Sequence, residues 1–201
     1  WDEWKEEMRK HDVPEWYMES CEKIKYMFPK AHAVAYVMMG WRVAYYKIKY
    51  PLAYYTAFFS IRASAFDYQQ MCLGKEALEE NLAALQKKDA TEKDMVRDMR
   101  LVQEMYARGI EFMPIDLYRA KADRFQIIDG KIMPSFASIA GMGLKAAQQL
   151  EEAAKGGTFT SKEDIRIRGK VSKTILDVME ELGLLGDLPE TNQYDFFGML
   201  K

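Results

Sequence analysis

Cysteine is scarce in this 201-residue chain. Cys21 and Cys72 stand alone, without metal-ligand spacing. That argues against a zinc site and reads as two reduced core thiols in a cytoplasmic protein. No signal peptide opens the sequence. The longest charge-free apolar stretches lie between Lys30 and Arg42 and between Lys49 and Arg62. Both are shorter than the ~20 residues a membrane span needs, so no membrane partner is expected. Low-complexity segments are absent. No Asp-x-Asp pair occurs, and the doublets Glu79-Glu80 and Glu180-Glu181 read as solvated helix faces. Nothing therefore supplies the clustered carboxylates that metal-dependent phosphoryl transfer requires. Acidic residues are also missing from Lys23 to Phe66, where Lys23, Lys25, Lys30, Arg42, Lys47, Lys49 and Arg62 are basic. Acids between Glu76 and Glu104 bring the net charge to −2. A near-neutral total thus hides a basic face.

What is present suits one large domain or two small ones, with 49% hydrophobic and 30% charged residues. Pro14 opens a helix that runs until Pro29. Further helices are expected from about Ala31 to Ile48 and from Pro51 through Arg62. These are aromatic-rich and apolar on more than one face, which implies burial on several sides or a large binding surface. Gly74 to Asp89 reads as another helix. Thr91 and Asp94 resemble a capping box for one that Gly109 ends. The period then changes. Phe112–Tyr118 and Arg124–Met133 look extended, with a hairpin turn at Asp129-Gly130. Helices resume after Gly143, break at Gly156-Gly157, and return behind Ser161 and over Val171–Leu182. The expected class is mainly α with a small β segment (α+β).

Ile139-Ala140-Gly141-Met142-Gly143 runs directly into a helix that contains Ala147. Glycine turns tightly and lets another molecule approach the backbone closely. The amides opening the helix then face outward with the positive end of the dipole behind them, which makes an anion site. The pattern resembles the helix-hairpin-helix motif, whose members bind the DNA backbone with little sequence preference. Gly141, Met142, Gly143 and Lys145 are its candidate DNA-binding residues. A second, degenerate hairpin falls at Gly169-Lys170-Val171-Ser172. Arg168, Gly169, Lys170 and Lys173 are the candidates there, with Arg166 nearby. A loop that merely caps a helix, and a merely solvated charge cluster, are the plainer readings of the two.

Tyr26-Met27-Phe28-Pro29-Lys30-Ala31-His32-Ala33-Val34-Ala35-Tyr36 closely resembles the fingers segment of C-family bacterial replicative DNA polymerases. Val13–Tyr17, Tyr45-Tyr46-Lys47, Tyr50-Pro51-Leu52 and Ser60–Ala63 are similar to the PolC type of DNA polymerase III alpha. Asp116–Arg119 and Ile128-Asp129-Gly130 follow in the same order. The resemblance covers essentially the whole chain and implies its C-terminal part. It divides the chain into a helical fingers region over 1–110, a small β segment over 111–133, a tandem helix-hairpin-helix domain over 134–188 and a flexible tail over 189–201. It implies that Lys30, His32, Tyr36 and Arg42 face an incoming dNTP. Core ion pairing for Arg42, and a satisfied core histidine for His32, are the alternatives. It also implies that the hairpins hold the primer-template duplex.

The tail Gln193-Tyr194-Asp195-Phe196-Phe197 resembles a sliding-clamp-binding peptide, with Gln193, Phe196 and Phe197 as contact residues. Tyr194 and Phe196 replace the more usual leucines. Mg2+ is implied for the full-length polymerase and no cofactor for this stretch, because the metal-binding acids of the family lie in a palm domain before the fingers. The chain alone is expected not to polymerise. Two other classes compete: a helix-hairpin-helix DNA-repair enzyme using Asp164, and a non-catalytic DNA-binding or interaction module.

Overall fold

The computed structural model describes residues 1–24, 30–85 and 93–192. Among them the chain is mainly α, with one two-stranded antiparallel hairpin. Helices α1 (Asp2–Lys10), α2 (Glu15–Lys23), α3 (Lys30–Lys49), α4 (Pro51–Ile61), α5 (Tyr68–Met71), α6 (Lys75–Leu85) and α7 (Lys93–Ala107) come first. Strands β1 (Gln126–Ile128) and β2 (Lys131–Met133) follow, then α8 (Leu144–Lys155), α9 (Lys162–Arg168) and α10 (Lys173–Glu181). No described helix is long and apolar enough to cross a membrane.

Local chemistry accounts for most boundaries. Pro14 is the N-cap of α2 and Pro51 begins α4, where a missing N–H costs nothing. Gly109, at φ +73°, stops the chain after α7 while Ile110 N–H reaches back to Met105 O at 3.2 Å. Asp129 and Gly130 both take positive φ, as a two-residue hairpin loop of this hand demands. Residues 86–92, with Thr91 of the expected capping box, lie outside the described residues. The sequence reading did not anticipate α1 or α5.

Contacts divide the chain into two units, Trp1–Tyr45 and Tyr46–Lys201. In the first, α1 and α2 are joined by ion pairs from Lys5 to Glu22 at 2.6 Å and from Arg9 to Glu15 at 2.8 Å. Met18 is its one fully buried apolar residue among those described. The second unit has two cores. One is aromatic: Phe59 lies within 6 Å, centroid to centroid, of Phe66, Phe112 and Phe125, over Met99, Val102 and Met105. The other gathers Phe136, Ile139, Met142, Leu150, Ile165, Val171 and Met179 under α8 to α10.

The segment expected as a separate β linker joins these cores. Successive residues of β2 face opposite ways, so Ile132 enters the aromatic core and Met133 the other. Phe112 bridges to Ile132, and Phe125 N–H donates to Ser60 Oγ at 2.9 Å. The contact-defined boundary therefore falls inside α3, not near residue 110.

Gly169 closes the packing of α9 on α8. A Cβ there would lie 2.7 Å from Ile165 O and 2.9 Å from Leu150 Cδ1. Gly169→Ala should destabilise the chain by about 1–3 kcal/mol through overpacking, read from urea unfolding. A midpoint equal to that of the parent would contradict this packing role.

Candidate nucleic-acid interface

The first hairpin separates one buried side chain from a row of outward amides. Ile139 and Met142 are buried, while Ala140, Gly141 and Gly143 are exposed. Met142 N–H donates to Ile139 O at 3.0 Å and closes the turn. Gly141 takes φ +79°, a conformation open to glycine at little cost. Gly143 is extended and is the N-cap of α8. The first helical bond runs from Ala147 N–H to Gly143 O at 3.0 Å, and Ala147 is buried beneath it. The N–H groups of Gly143, Leu144, Lys145 and Ala146 find no acceptor among the described residues. They are the open donors of a helix start, with the dipole behind them.

The second hairpin repeats this geometry at a register one residue later than the sequence indicated. Lys170, at φ +51°, takes the place of Gly141. Val171 is buried like Met142, and Ser172 caps α10 with φ −68° and ψ 156°, against −67° and 150° at Gly143. Leu176 N–H donates to Ser172 O as Ala147 does to Gly143. One difference matters. Ser172 Oγ accepts from Ile175 N–H at 3.3 Å, so this hairpin fills with its own hydroxyl an amide that the first leaves open. It offers cations instead: Lys170 and Lys173 are exposed and make no ion pair with a described residue.

The candidate DNA residues therefore separate into two groups. Gly141, Gly143, Lys145, Lys170 and Lys173 line the exposed side. Met142 is a core plug, 5% exposed. Gly169 is required by packing. Arg168 is a staple: its Nη1 donates to Thr158 O and Asp164 Oδ2, and its Nη2 to Ala153 O and Gly157 O. Its guanidinium also lies 4.7 Å from the Phe159 ring centre. It ties the end of α8 to α9 and keeps few donors for a phosphate. Sequence reasoning missed one residue, Gln69, whose Oε1 accepts from Ala140 N–H at 3.2 Å.

Lys30, His32, Tyr36 and Arg42 all lie on α3, which buries none of its described residues despite its apolar sequence. The expected burial of this helix on several sides is not found in this chain. His32 and Tyr36, one turn apart, bring their rings to 4.6 Å. Lys30, two residues before His32, falls on nearly the opposite side of the helix. Arg42 is exposed and directs Nη1 at Met39 Sδ, 3.8 Å away. The four do not converge on one point. Tyr26–Pro29 of the fingers motif, and Gln193, Phe196 and Phe197 of the tail, lie outside the described residues. No three His, Cys, Asp or Glu side chains converge to hold a metal ion among the described residues.

Residues 109–194 match the helix-hairpin-helix motif family. Across nearly its whole length the chain is similar to proteins called DNA polymerase III PolC-type. It is 44% identical over 196 residues to that of Caldanaerobacter subterraneus subsp. tengcongensis, covering 96% of the chain and 14% of the relative. For Listeria monocytogenes the identity is 46% over 201 residues, covering 98% and 14%. For Streptococcus agalactiae it is 46% over 196 residues, covering 94% and 13%. The chain belongs to the PolC-type DNA polymerase III family. It spans about 14% of the length of the relatives it matches.

In this PolC segment the stretch after α10 is strapped onto α9. Lys162 N–H donates to Pro189 O at 2.9 Å and Glu163 N–H to Glu190 O at 3.0 Å. The Lys162 ammonium, in a residue only 8% exposed, binds the carboxylates of Glu180 and Glu190, and Asn192 reaches Thr160 Oγ1.

Asp164, the carboxylate considered for repair chemistry, is also structural. Burial pushes its carboxyl upward, but donation from Thr160 N–H at 3.1 Å and the Arg168 guanidinium at 3.0 Å outweighs that and holds it below the ordinary Asp range. A carboxylate so engaged is a poor nucleophile or base. A depressed folded pKa contributes stability that is present at neutral pH and is lost as pH falls below about 4, where the unfolded chain binds the proton first. Urea unfolding should accordingly show a stability loss below about pH 4. Asp164→Asn should be less stable at pH 7 and lose that part of the acid dependence. Identical pH profiles for the two proteins would contradict the assignment.

Proposed function

We propose that this chain grips duplex DNA by its backbone within a replicative polymerase of the PolC type. The observation that carries the reading is the pair of hairpins, each with a left-handed residue, a buried plug and an extended N-cap in the same order. A phosphate at the first hairpin meets open amides and Lys145. One at the second meets Lys170 and Lys173. Neither set reads bases, so the grip follows the duplex without choosing its sequence. Two contacts side by side fix direction as well as position.

Around this grip the proposal places the rest of the chain. Helix α3 is the fingers helix, with His32 and Tyr36 as one patch and Lys30 and Arg42 as separate cations towards an incoming dNTP. Gln193, Phe196 and Phe197 form the attachment to a sliding clamp. Nucleotide addition belongs to the longer protein, in the cytoplasm, and its Mg2+ ions are held by carboxylates outside this chain. In the described residues the acidic side chains are spent on ion pairs and caps or exposed on helix faces, consistent with a positioning role.

The test uses the second hairpin as a template for changing the first. In Gly143→Ser the new hydroxyl should cap α8 as Ser172 caps α10. A Cβ at residue 143 meets nothing within 4 Å. Stability should hold or rise by a few tenths of a kcal/mol, while duplex affinity falls about tenfold because a charged hydrogen bond is lost. Parent affinity should itself fall steeply between roughly 50 and 200 mM salt, with Lys145→Ala lowering that slope by about one. Affinity unchanged in a folded Gly143→Ser protein would rule out the amides as the phosphate contact.

A further inference from the structure

We propose that Gln69 is a positioning residue for duplex DNA, acting through the peptide that leads into the first hairpin. The proposal rests on the backbone-grip reading above. It starts from a difference between the two hairpins. At the second, the residue before the left-handed position is Gly169, and its N–H donates to Ile165 O at 2.8 Å. Helix α9 thus holds its own hairpin. At the first, the corresponding residue is Ala140, and only a 3-10 turn, Phe136–Ser138, precedes it. That turn ties Ile139 N–H to Phe136 O and supplies nothing for Ala140. Gln69, distant in sequence, provides the missing acceptor at 3.2 Å.

The element that carries Gln69 is held more firmly than its length explains. Four residues cannot sustain a helix alone. In α5, Asp67 Oδ1 caps Gln70 N–H at 2.9 Å, Asn81 Nδ2 donates to Gln70 O at 3.2 Å, and Tyr106 Oη donates to Met71 O at 3.0 Å. Tyr68 is buried in the hairpin core and Met71 in the aromatic core. A fixed α5 fixes the Gln69 amide. The amide fixes the plane of the Ile139–Ala140 peptide, which sets where the next N–H, that of Gly141, points. With Ile139, Ala140 and Met142 all bonded, Gly141 is the one amide of this turn without an acceptor among the described residues. Gln69 thereby orders an outward donor for phosphate without touching DNA.

The test compares Gln69→Met, which keeps length and removes the acceptor, with Gln69→Glu, which keeps an acceptor oxygen. The probe is a short fluorescein-labelled duplex of random sequence, titrated at several salt concentrations. Gln69→Met should bind about two- to tenfold more weakly, the range of one hydrogen bond. Its salt slope should match the parent's, because no cation is lost. Ala140 N–H should exchange faster and the Gly141 amide resonance should shift, with the melting temperature retained. Gln69→Glu should restore slow exchange at Ala140. Parent-like affinity in Gln69→Met, or a reduced slope, overturns the positioning role and leaves the backbone grip standing. No duplex binding by the parent overturns the grip itself. If Gln69→Met fails to fold, exchange at Ala140 in the parent and in Gln69→Glu decides: fast exchange in both overturns the proposal.

Discussion

Met142 and Val171 are the middle residues of two tight turns, and each must go down into the core while the amides beside it stay up. That opposition governs the hairpin domain. Burying a side chain of this size stabilises by about 1.5–3 kcal/mol, enough to offset a left-handed residue on one side and open helix donors on the other. The cost differs between the hairpins. Gly141 adopts its conformation freely, whereas Lys170 carries a Cβ penalty of about 1–2 kcal/mol. The second hairpin holds a cation at a strained position and recovers part of the difference through the Ser172 cap.

The same logic extends upstream. A core that must hold two turns at a set height needs a floor that does not tilt, and β2 supplies it by placing Ile132 and Met133 in different cores. Residues that look like a linker are thus the joint through which the aromatic helices α4 to α7 brace the hairpin domain. The α5 turn repeats the arrangement with Tyr68 and Met71.

Much of this was legible in the sequence because the signals are local. Pro51, Gly109, Asp129-Gly130 and Ser161 act through their own backbone preferences, and each stands where its chemistry put it. The first hairpin was legible because both its glycines are kept. The second was read one residue early because Gly169 attracted the turn, while the structure uses it for packing and gives the left-handed place to Lys170. The burial of Val171 and the capping serine after it were the signals of the true register. Arg168 and Met142 were read as contacts because sequence cannot say which way a side chain faces. Gln69 left no local trace, since its partner is far along the chain. The site on α3 was legible only through resemblance, and the helix alone does not gather its four residues.

The strap on α9 bears on how far the chain can reach. Any peptide attached beyond Asn192 starts its search from a fixed origin, because Lys162, Glu163 and Thr160 hold the preceding residues down. A released strap would lengthen the tether by those residues. Effective concentration at a target within reach falls roughly as the −3/2 power of tether length. A single buried lysine therefore sets the volume that the tail explores, and with it the local concentration of whatever the tail binds.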